Sequence, residues 1–250
     1  MSMFIATSLT HYKRDDVRKA IVEQAKEKEV SVIFDKSKFG KRPDILSYEQ
    51  DVLDFAKKKA SSFHCSEELW YNPLSLGSGM KRHELDDLRK GWDLILDIDC
   101  PHWELSKLIT FLFVQGLEDH GVQSISVKFS GNKGFHIAVP FEAFPETVFF
   151  DGKMRETRTL FPEVPRKIAL YLLSYITNKY VTIHDARVTF LDEFTFSHAE
   201  LAEVAKQTNK ELFAKQCVDC EREYRNPART RVQYSCSACG HNNKPAGDPE

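Results

Sequence analysis

Asp97 and Asp99 stand two apart in the segment Trp92 to Cys100, WDLILDIDC, and that spacing decides what they can do together. In an extended strand, residues two apart project from the same face, so both carboxylates point one way while Leu94, Leu96, Ile98 and Cys100 point the other. Two like charges side by side repel unless a cation lies between them. Hard oxygen ligands suit magnesium or manganese, and phosphate oxygens complete such coordination shells, so the pair fits metal-assisted phosphoryl chemistry. By itself an Asp-x-Asp is more often solvated or paired with a basic residue. A glycosyltransferase holding a nucleotide sugar could use it as well.

The second constellation is SGNKGFH, Ser130 to His136. Gly131 and Gly134 bracket a turn whose backbone N–H groups can approach an anion, and Ser130, Lys133 and His136 add a hydroxyl, an ammonium and an imidazole. This is a triphosphate cradle in outline. Read blandly, it is a hairpin turn with two permissive glycines and a solvated lysine. Alternation through SISVKFS aims Lys128 to the side of Ser130 and, if the flanking strands pair across a five-residue loop, to the side of His136.

A third constellation is Cys217, Cys220, Cys236 and Cys239, two C-x2-C pairs separated by 15 residues. Four thiolates at this spacing make a closed tetrahedral zinc site, structural because no coordination position stays open. Arg222, Arg225, Arg229 and Arg231, with Tyr224 and Tyr234, lie between the pairs, a mixture suited either to a solvated face or to phosphate contact and base stacking. Cys65 and Cys100 have no partner at ligand spacing and read as buried small hydrophobes.

The elements that must position these groups follow from periodicity. Val17, Ile21 and Ala25 mark a helix within residues 14 to 29, and Ser47 with Gln50 reads as a capping box before a second helix ending near residue 60. Leu105, Leu108, Ile109, Leu112 and Phe113 give an amphipathic helix after the Asp-x-Asp strand. Another helix, with Ile168, Ala169, Leu172, Leu173 and Ile176 on its apolar face, follows Pro162 and Pro165. Short strands YVTIHD and VTFL flank Asp185, Ala186 and Arg187, and Ser197 with Glu200 caps a helix predicted to run to about Ala214. The remaining basic residues near the motifs, Lys81, Arg82, Arg155, Arg158, Arg166 and Lys167, read as surface charges.

The expected fold is α/β (α+β): a mixed, largely antiparallel sheet covered by helices, with a C-terminal zinc ribbon. Domains are expected at 1–200 (catalytic), 201–216 (helical connection), 217–241 (ribbon) and 242–250 (disordered tail). The 35 Lys and Arg nearly balance the 37 Asp and Glu in 250 residues, so net charge predicts no nucleic-acid partner and any such contact must use local clusters. No apolar run nears the roughly 20 residues that span a bilayer, and MSMFIATSLTHYKRDD has no signal-peptide pattern. An intracellular protein without a membrane partner is expected.

In order and spacing, GWDLILDIDCPHW (Gly91 to Trp103) and SGNKGFHI resemble the metal-binding strand and the S-G-x-x-G-x-H motif of the archaeo-eukaryotic primase superfamily, the small catalytic subunits of DNA primases and related primase-polymerases. The similarity covers roughly residues 45 to 140. It implies an RRM-like catalytic core making primers on single-stranded DNA from nucleoside triphosphates, with Mg2+ or Mn2+ as catalytic ions and a primase large subunit, helicase or polymerase as a further partner. Asp97, Asp99 and a third aspartate would be the metal ligands, and Ser130, Gly131, Lys133, Gly134 and His136 would hold the nucleotide. IHDARVT resembles the family's third motif and offers Asp185, with Asp192 as the competitor. FTFSHAE departs from the expected basic residue, proline and Ser-x-His, which leaves His198 a weak candidate and a catalytically silent, nucleic-acid-binding subunit as the alternative. The cysteines follow all three motifs instead of lying between the second and third, which suggests a divergent member.

Overall fold

In the computed structural model, residues 3–35, 38–131 and 133–207 are described, together with the strand residues 215–216 and 223–224. The chain begins with helices α1 (Met3–Tyr12) and α2 (Asp15–Gln24), strands β1 (Val30–Phe34) and β2 (Lys38–Phe39), helix α3 (Glu49–Lys57) and strand β3 (Ala60–Cys65). The strands form an antiparallel sheet in the order β2-β1-β3. Val30 and Val32 are buried with Val52 and Ala56 of α3 in one core cluster, while the intervening Ser31 belongs to the other face of the sheet.

Helix α3 starts one residue later than its sequence suggested. The Asp51 carboxylate accepts from the backbone N–H of Ser47 (2.9 Å) and Tyr48 (2.8 Å), while Gln50 donates to Asp54. Asp51 is the better partner because an ionised carboxylate accepts more strongly than an amide.

Next come β4 (Glu68–Trp70), α4 (Arg82–Leu88) and β5 (Arg89–Trp92), with β4 and β5 paired antiparallel. The buried Arg89 guanidinium is held by Glu68 and Asp86 and lies over the rings of Trp70 (5.3 Å) and Phe161 (5.6 Å). Strand β6 (Leu94–Asp99), helix α5 (Trp103–Asp119), β7 (Ser126–Phe129) and β8 (Gly134–Val139) follow, and the three strands make an antiparallel sheet in the order β6-β8-β7. Leu94, Leu96 and Ile98, with Ile137 and Val139 of β8, are buried together with Leu105, Leu108 and Leu112 of α5.

A hairpin of β9 (Thr147–Phe150) and β10 (Lys153–Glu156) leads to α6 (Glu163–Tyr180), whose Leu172 and Ile176 join the same core. Gly116 lets α5 and α6 approach: a Cβ there would stand 3.2 Å from Cγ1 of Ile176. Strands β11 (Val181–His184), β12 (Arg187–Phe190) and β13 (Phe194–Ser197) form a third three-stranded antiparallel sheet. It leads into α7 (His198–Gln207), where Glu200 accepts from the Ser197 backbone N–H (2.7 Å) and the Ser197 hydroxyl accepts from that of Glu200 (3.2 Å), the reciprocal box read from the sequence. Leu201 and Val204 lie against the main core. The last described strands, β14 (Lys215–Gln216) and β15 (Glu223–Tyr224), pair antiparallel.

The architecture is therefore α+β, with seven α-helices and several small antiparallel sheets among the described residues. One mixed sheet was expected. Instead, among the described residues, every strand pairing is antiparallel and no sheet exceeds three strands. Close antiparallel hairpins account for part of the difference, with tight turns at Asp151, Asp185–Ala186 and Leu191–Asp192, each residue at positive φ. Among the described residues no helix is long and apolar enough to cross a membrane.

Candidate functional site

On β6 the burial alternates residue by residue, with Leu94, Leu96 and Ile98 inward and Asp97 and Asp99 exposed. In register, Asp97 faces His136 of β8, and His136 in turn faces Lys128 of β7. A carboxylate, an imidazole and an ammonium thus form one row across the solvent face of the sheet. His136 Nε2 stands 3.6 Å from Asp97 Oδ1, attractive when the ring is protonated but longer than a hydrogen bond.

The next row brings Asp99 opposite Gly134. Phe129 pairs with Phe135, leaving Ser130 to Gly134 as the five-residue connection. Ser130 N–H donates to the Gly134 carbonyl (2.8 Å), and Gly134 N–H points back at the Ser130 hydroxyl (3.3 Å). Gly131 takes φ +89°, open to glycine at no steric cost. Gly134 is required for another reason: a Cβ there would fall 1.6 Å from the Ile98 carbonyl oxygen. Lys133 is exposed in the turn, and Asn132 lies outside the described residues. The strand pairing therefore brings Asp97, Asp99, Ser130, Gly131, Lys133, Gly134 and His136 to one end of one sheet.

Asp185 is placed differently. It occupies the β11–β12 turn at φ +46°, 86% exposed, with Oδ2 2.9 Å from Nδ1 of its neighbour His184. Among the described residues no three His, Cys, Asp or Glu side chains form a group that could hold a metal ion, so Asp185 does not complete a triad with Asp97 and Asp99 here. Its turn is nonetheless directed to the same region. Ala186, whose carbonyl accepts from His198 N–H (2.9 Å), lines a largely apolar cavity of about 820 Å3 together with Asp97, Asp99 and His198. Asp192, in the turn at the opposite end of β12, is not among that cavity's lining residues.

Two side chains near the motifs had no warning in the sequence. His64 on β3 bonds Ser62 (2.9 Å), and its imidazole is held below its ordinary pKa, first by burial and then by the positive charges of Lys128 and His136. Glu67, between β3 and β4, is pushed up by burial and by Glu68, with Asp97 adding to the rise and Lys28 and Arg166 opposing it. Both line a second cleft, of about 1020 Å3, against the face of the N-terminal sheet that carries Ser31. The strand that positions His64, ASSFHC, carries no aliphatic alternation, so periodicity did not reveal it.

The other basic residues near the motifs have local roles. Arg82 pairs with Glu163, Arg158 donates to the carbonyl of Arg89 (3.0 Å), and Lys167 sits over the Phe150 ring (4.2 Å). Cys100 is buried as expected, whereas Cys65 is only half-buried. Cys217, Cys220, Cys236 and Cys239 lie outside the described residues. In sequence, β14 and β15 flank the first pair, with Lys215 opposite Tyr224 and Gln216 opposite Glu223.

No family model matches the chain. A stretch of 114 residues, 44% of the chain, is 30% identical to an uncharacterized protein of Methanocaldococcus jannaschii. The match covers 24% of that relative's length.

Proposed function

We propose that this chain is a template-dependent nucleotidyltransferase of the primase-polymerase type, making short primers on single-stranded DNA from nucleoside triphosphates. The observation that carries this reading is the row Asp97, His136 and Lys128, with Asp99 and the glycine-bracketed Ser130–Gly134 turn at its end, on an exposed sheet face. Carboxylates to hold cations and donors to hold phosphates stand side by side there, as transfer to a phosphorus centre requires.

The residues present fit a divalent cation: two carboxylates project from one strand face, and an imidazole and an ammonium stand beside them to receive phosphate oxygens. Asp97 and Asp99 would hold Mg2+ or Mn2+, and Asp185, whose neighbour Ala186 lines the same cavity, would have to turn toward them to serve as a third ligand. Bound, such ions lower the pKa of the attacking hydroxyl and stabilise the departing oxygen. His136 donates to a phosphate oxygen and Lys133 supplies positive charge, while Ser130 and the backbone of Gly131 and Gly134 shape the turn around the triphosphate. The hydroxyl oxygen bonds to the α-phosphorus, the bond from that phosphorus to the bridging oxygen breaks, and its electron pair leaves with pyrophosphate. The hydroxyl proton passes to solvent. The cysteine quartet would hold a structural Zn2+ in a ribbon following the catalytic domain.

The exposed Asp185, bonded to His184, favours a second reading: a nucleic-acid-binding subunit of the same type without catalysis of its own. The two separate in a synthesis assay on single-stranded template with labelled ribo- and deoxynucleotides and Mn2+. Nucleotidyl transfer lost in Asp97→Ala and Asp99→Ala is the expected result. No product from the folded, DNA-binding unmodified chain would leave the second reading standing.

A further inference from the structure

Three aromatic rings cluster where the metal-strand sheet meets the start of α5. Trp103, the first residue of α5 and four residues beyond Asp99, has its ring centroid 5.3 Å from Phe135 and 5.6 Å from Phe129, and the two phenyl rings are 5.8 Å apart. Rings at such separations are usually interior. Here Trp103 is 49% exposed and Phe129 50% exposed. Phe129 and Phe135 are the register pair that closes the Ser130–Gly134 turn, so the cluster adjoins the candidate phosphate site on the other side of the sheet.

The cluster continues along α5. Lys107 and Phe111 follow Trp103 at intervals of four, which puts all three on one face, and Phe111 is 49% exposed. Lys107 Nζ lies 5.9 Å from the Trp103 ring centroid, and the nearby Glu104 carboxylate is neutralised by it at 2.7 Å. The stripe is roughly 12 Å long, from eight residues of helical rise. Lys133 is exposed in the turn that Phe129 and Phe135 close. Exposed ring faces bordered by ammonium groups are the composition that single-stranded nucleic acids use, with bases stacking on the rings and phosphates tracking the cations.

We infer that Trp103 and Phe129, backed by Phe135, form a stacking platform for the bases of a single-stranded nucleic acid, with Lys107 contacting its phosphates. The inference deepens the proposed function, since the occupant is the template strand, and it rests on that reading for its biological role. A strand seated there would run past the turn that separates the platform from Asp97, Asp99 and His136.

Trp103 is also its own reporter. The other two tryptophans, Trp70 and Trp92, are 3% and 0% exposed. Titrating the full chain with an oligodeoxythymidylate should quench tryptophan emission, and the same titration should leave the emission of Trp103→Phe unchanged. By anisotropy with a labelled oligonucleotide, Trp103→Ala and Phe129→Ala should bind roughly 5- to 100-fold more weakly at fixed salt, the loss of one stacked base. An abasic oligonucleotide should bind all forms equally poorly. Two variants guard against one failing to fold, as judged by circular dichroism.

Folded Trp103→Ala or Phe129→Ala binding within twofold of the unmodified chain overturns the platform, as does abasic strand bound as tightly as thymidylate. So does a loss, in sedimentation, of self-association on Trp103→Ala without any change in DNA affinity, which would assign the face to a second copy. Asp97→Asn separates this inference from the proposed function. If binding depends on Trp103 but neither the unmodified chain nor Asp97→Asn transfers nucleotides, the platform stands and the catalytic reading falls. If transfer depends on Asp97 while Trp103→Ala binds template normally, the platform falls alone.

Discussion

The α-carbon of Gly134 lies so close to Ile98 that a methyl group on it would stand 1.6 Å from the Ile98 carbonyl oxygen. The contact joins the last glycine of the Ser130–Gly134 turn to the strand carrying Asp97 and Asp99, with Asp99 directly opposite Gly134. Any side chain at 134 must therefore push β8 away from β6. Gly134→Ala is expected to cost on the order of 3 kcal/mol, the upper part of the usual range for overpacking because the obstacle is backbone. It should also displace His136 relative to Asp97. Urea denaturation checks the first effect. Gly131→Ala is the informative contrast, because Gly131 has nothing within 4 Å of its Cβ direction and only the positive φ opposes the substitution.

Lys28 and Asp93 tie the N-terminal layer to the segment that leads into β6. The ammonium lies 2.5 Å from the carboxylate, their side chains are 5% and 15% exposed, and the other Asp93 oxygen accepts from Phe141 N–H. Replacing Lys28 with Met strands a nearly buried carboxylate. A loss of about 3–5 kcal/mol is expected from breaking a buried pair, read as a lowered denaturant midpoint. A midpoint unchanged from the parent protein would show that solvent reaches the pair.

The imidazole of His64 should titrate below its ordinary value, because burial and the charges of Lys128 and His136 all disfavour the imidazolium. Two perturbations test the cause by NMR of the ring signals. Lys128→Gln should raise the pKa. Inorganic triphosphate should raise it too, by placing negative charge between the cations. The stability consequence has a definite sign: the unfolded chain takes up this proton first, so this group's contribution to stability declines as pH falls from the ordinary imidazole value through the folded one. A His64→Gln variant should lose that part of the pH dependence.

The cysteine quartet predicts about one zinc ion per chain by atomic spectrometry, from the ligand spacing alone. Cys236→Ser should reduce the zinc content to near background. The Lys28–Asp93 pair and the sheet carrying Asp97 are built from residues far from the cysteines in sequence, so thermal unfolding of the N-terminal 200 residues should change little in that variant.

What could be read from sequence alone was what neighbouring residues decide. The alternation of WDLILDIDC sets which side of β6 is charged, since a strand's faces follow from a period of two whatever lies beside it. The Ser197–Glu200 box closes over one helical turn, and SGNKG marks its own turn through its glycines. Aligning His136 with Lys128 needed only one further step, the length of the connection between their two strands, whereas Asp97 joins the row through the pairing of β6 with β8.

Only the tertiary structure could decide the rest. The strand ASSFHC has no apolar alternation, and its identity comes from pairing with β1 some 30 residues earlier, so the approach of His64 to Lys128 and His136 was unannounced. Asp51 displaced Gln50 as the cap of α3 because charge outweighed the motif's usual residue. The position of Asp185 relative to Asp97 depends on how the β11–β13 sheet sits over α5 and α6, where Asp97 and the Ala186 that follows Asp185 line one apolar cavity. Local pattern fixes which way a side chain faces on its own element. Which elements meet is settled by the burial of apolar surface from distant parts of the chain, and a metal site built from two elements depends on that meeting.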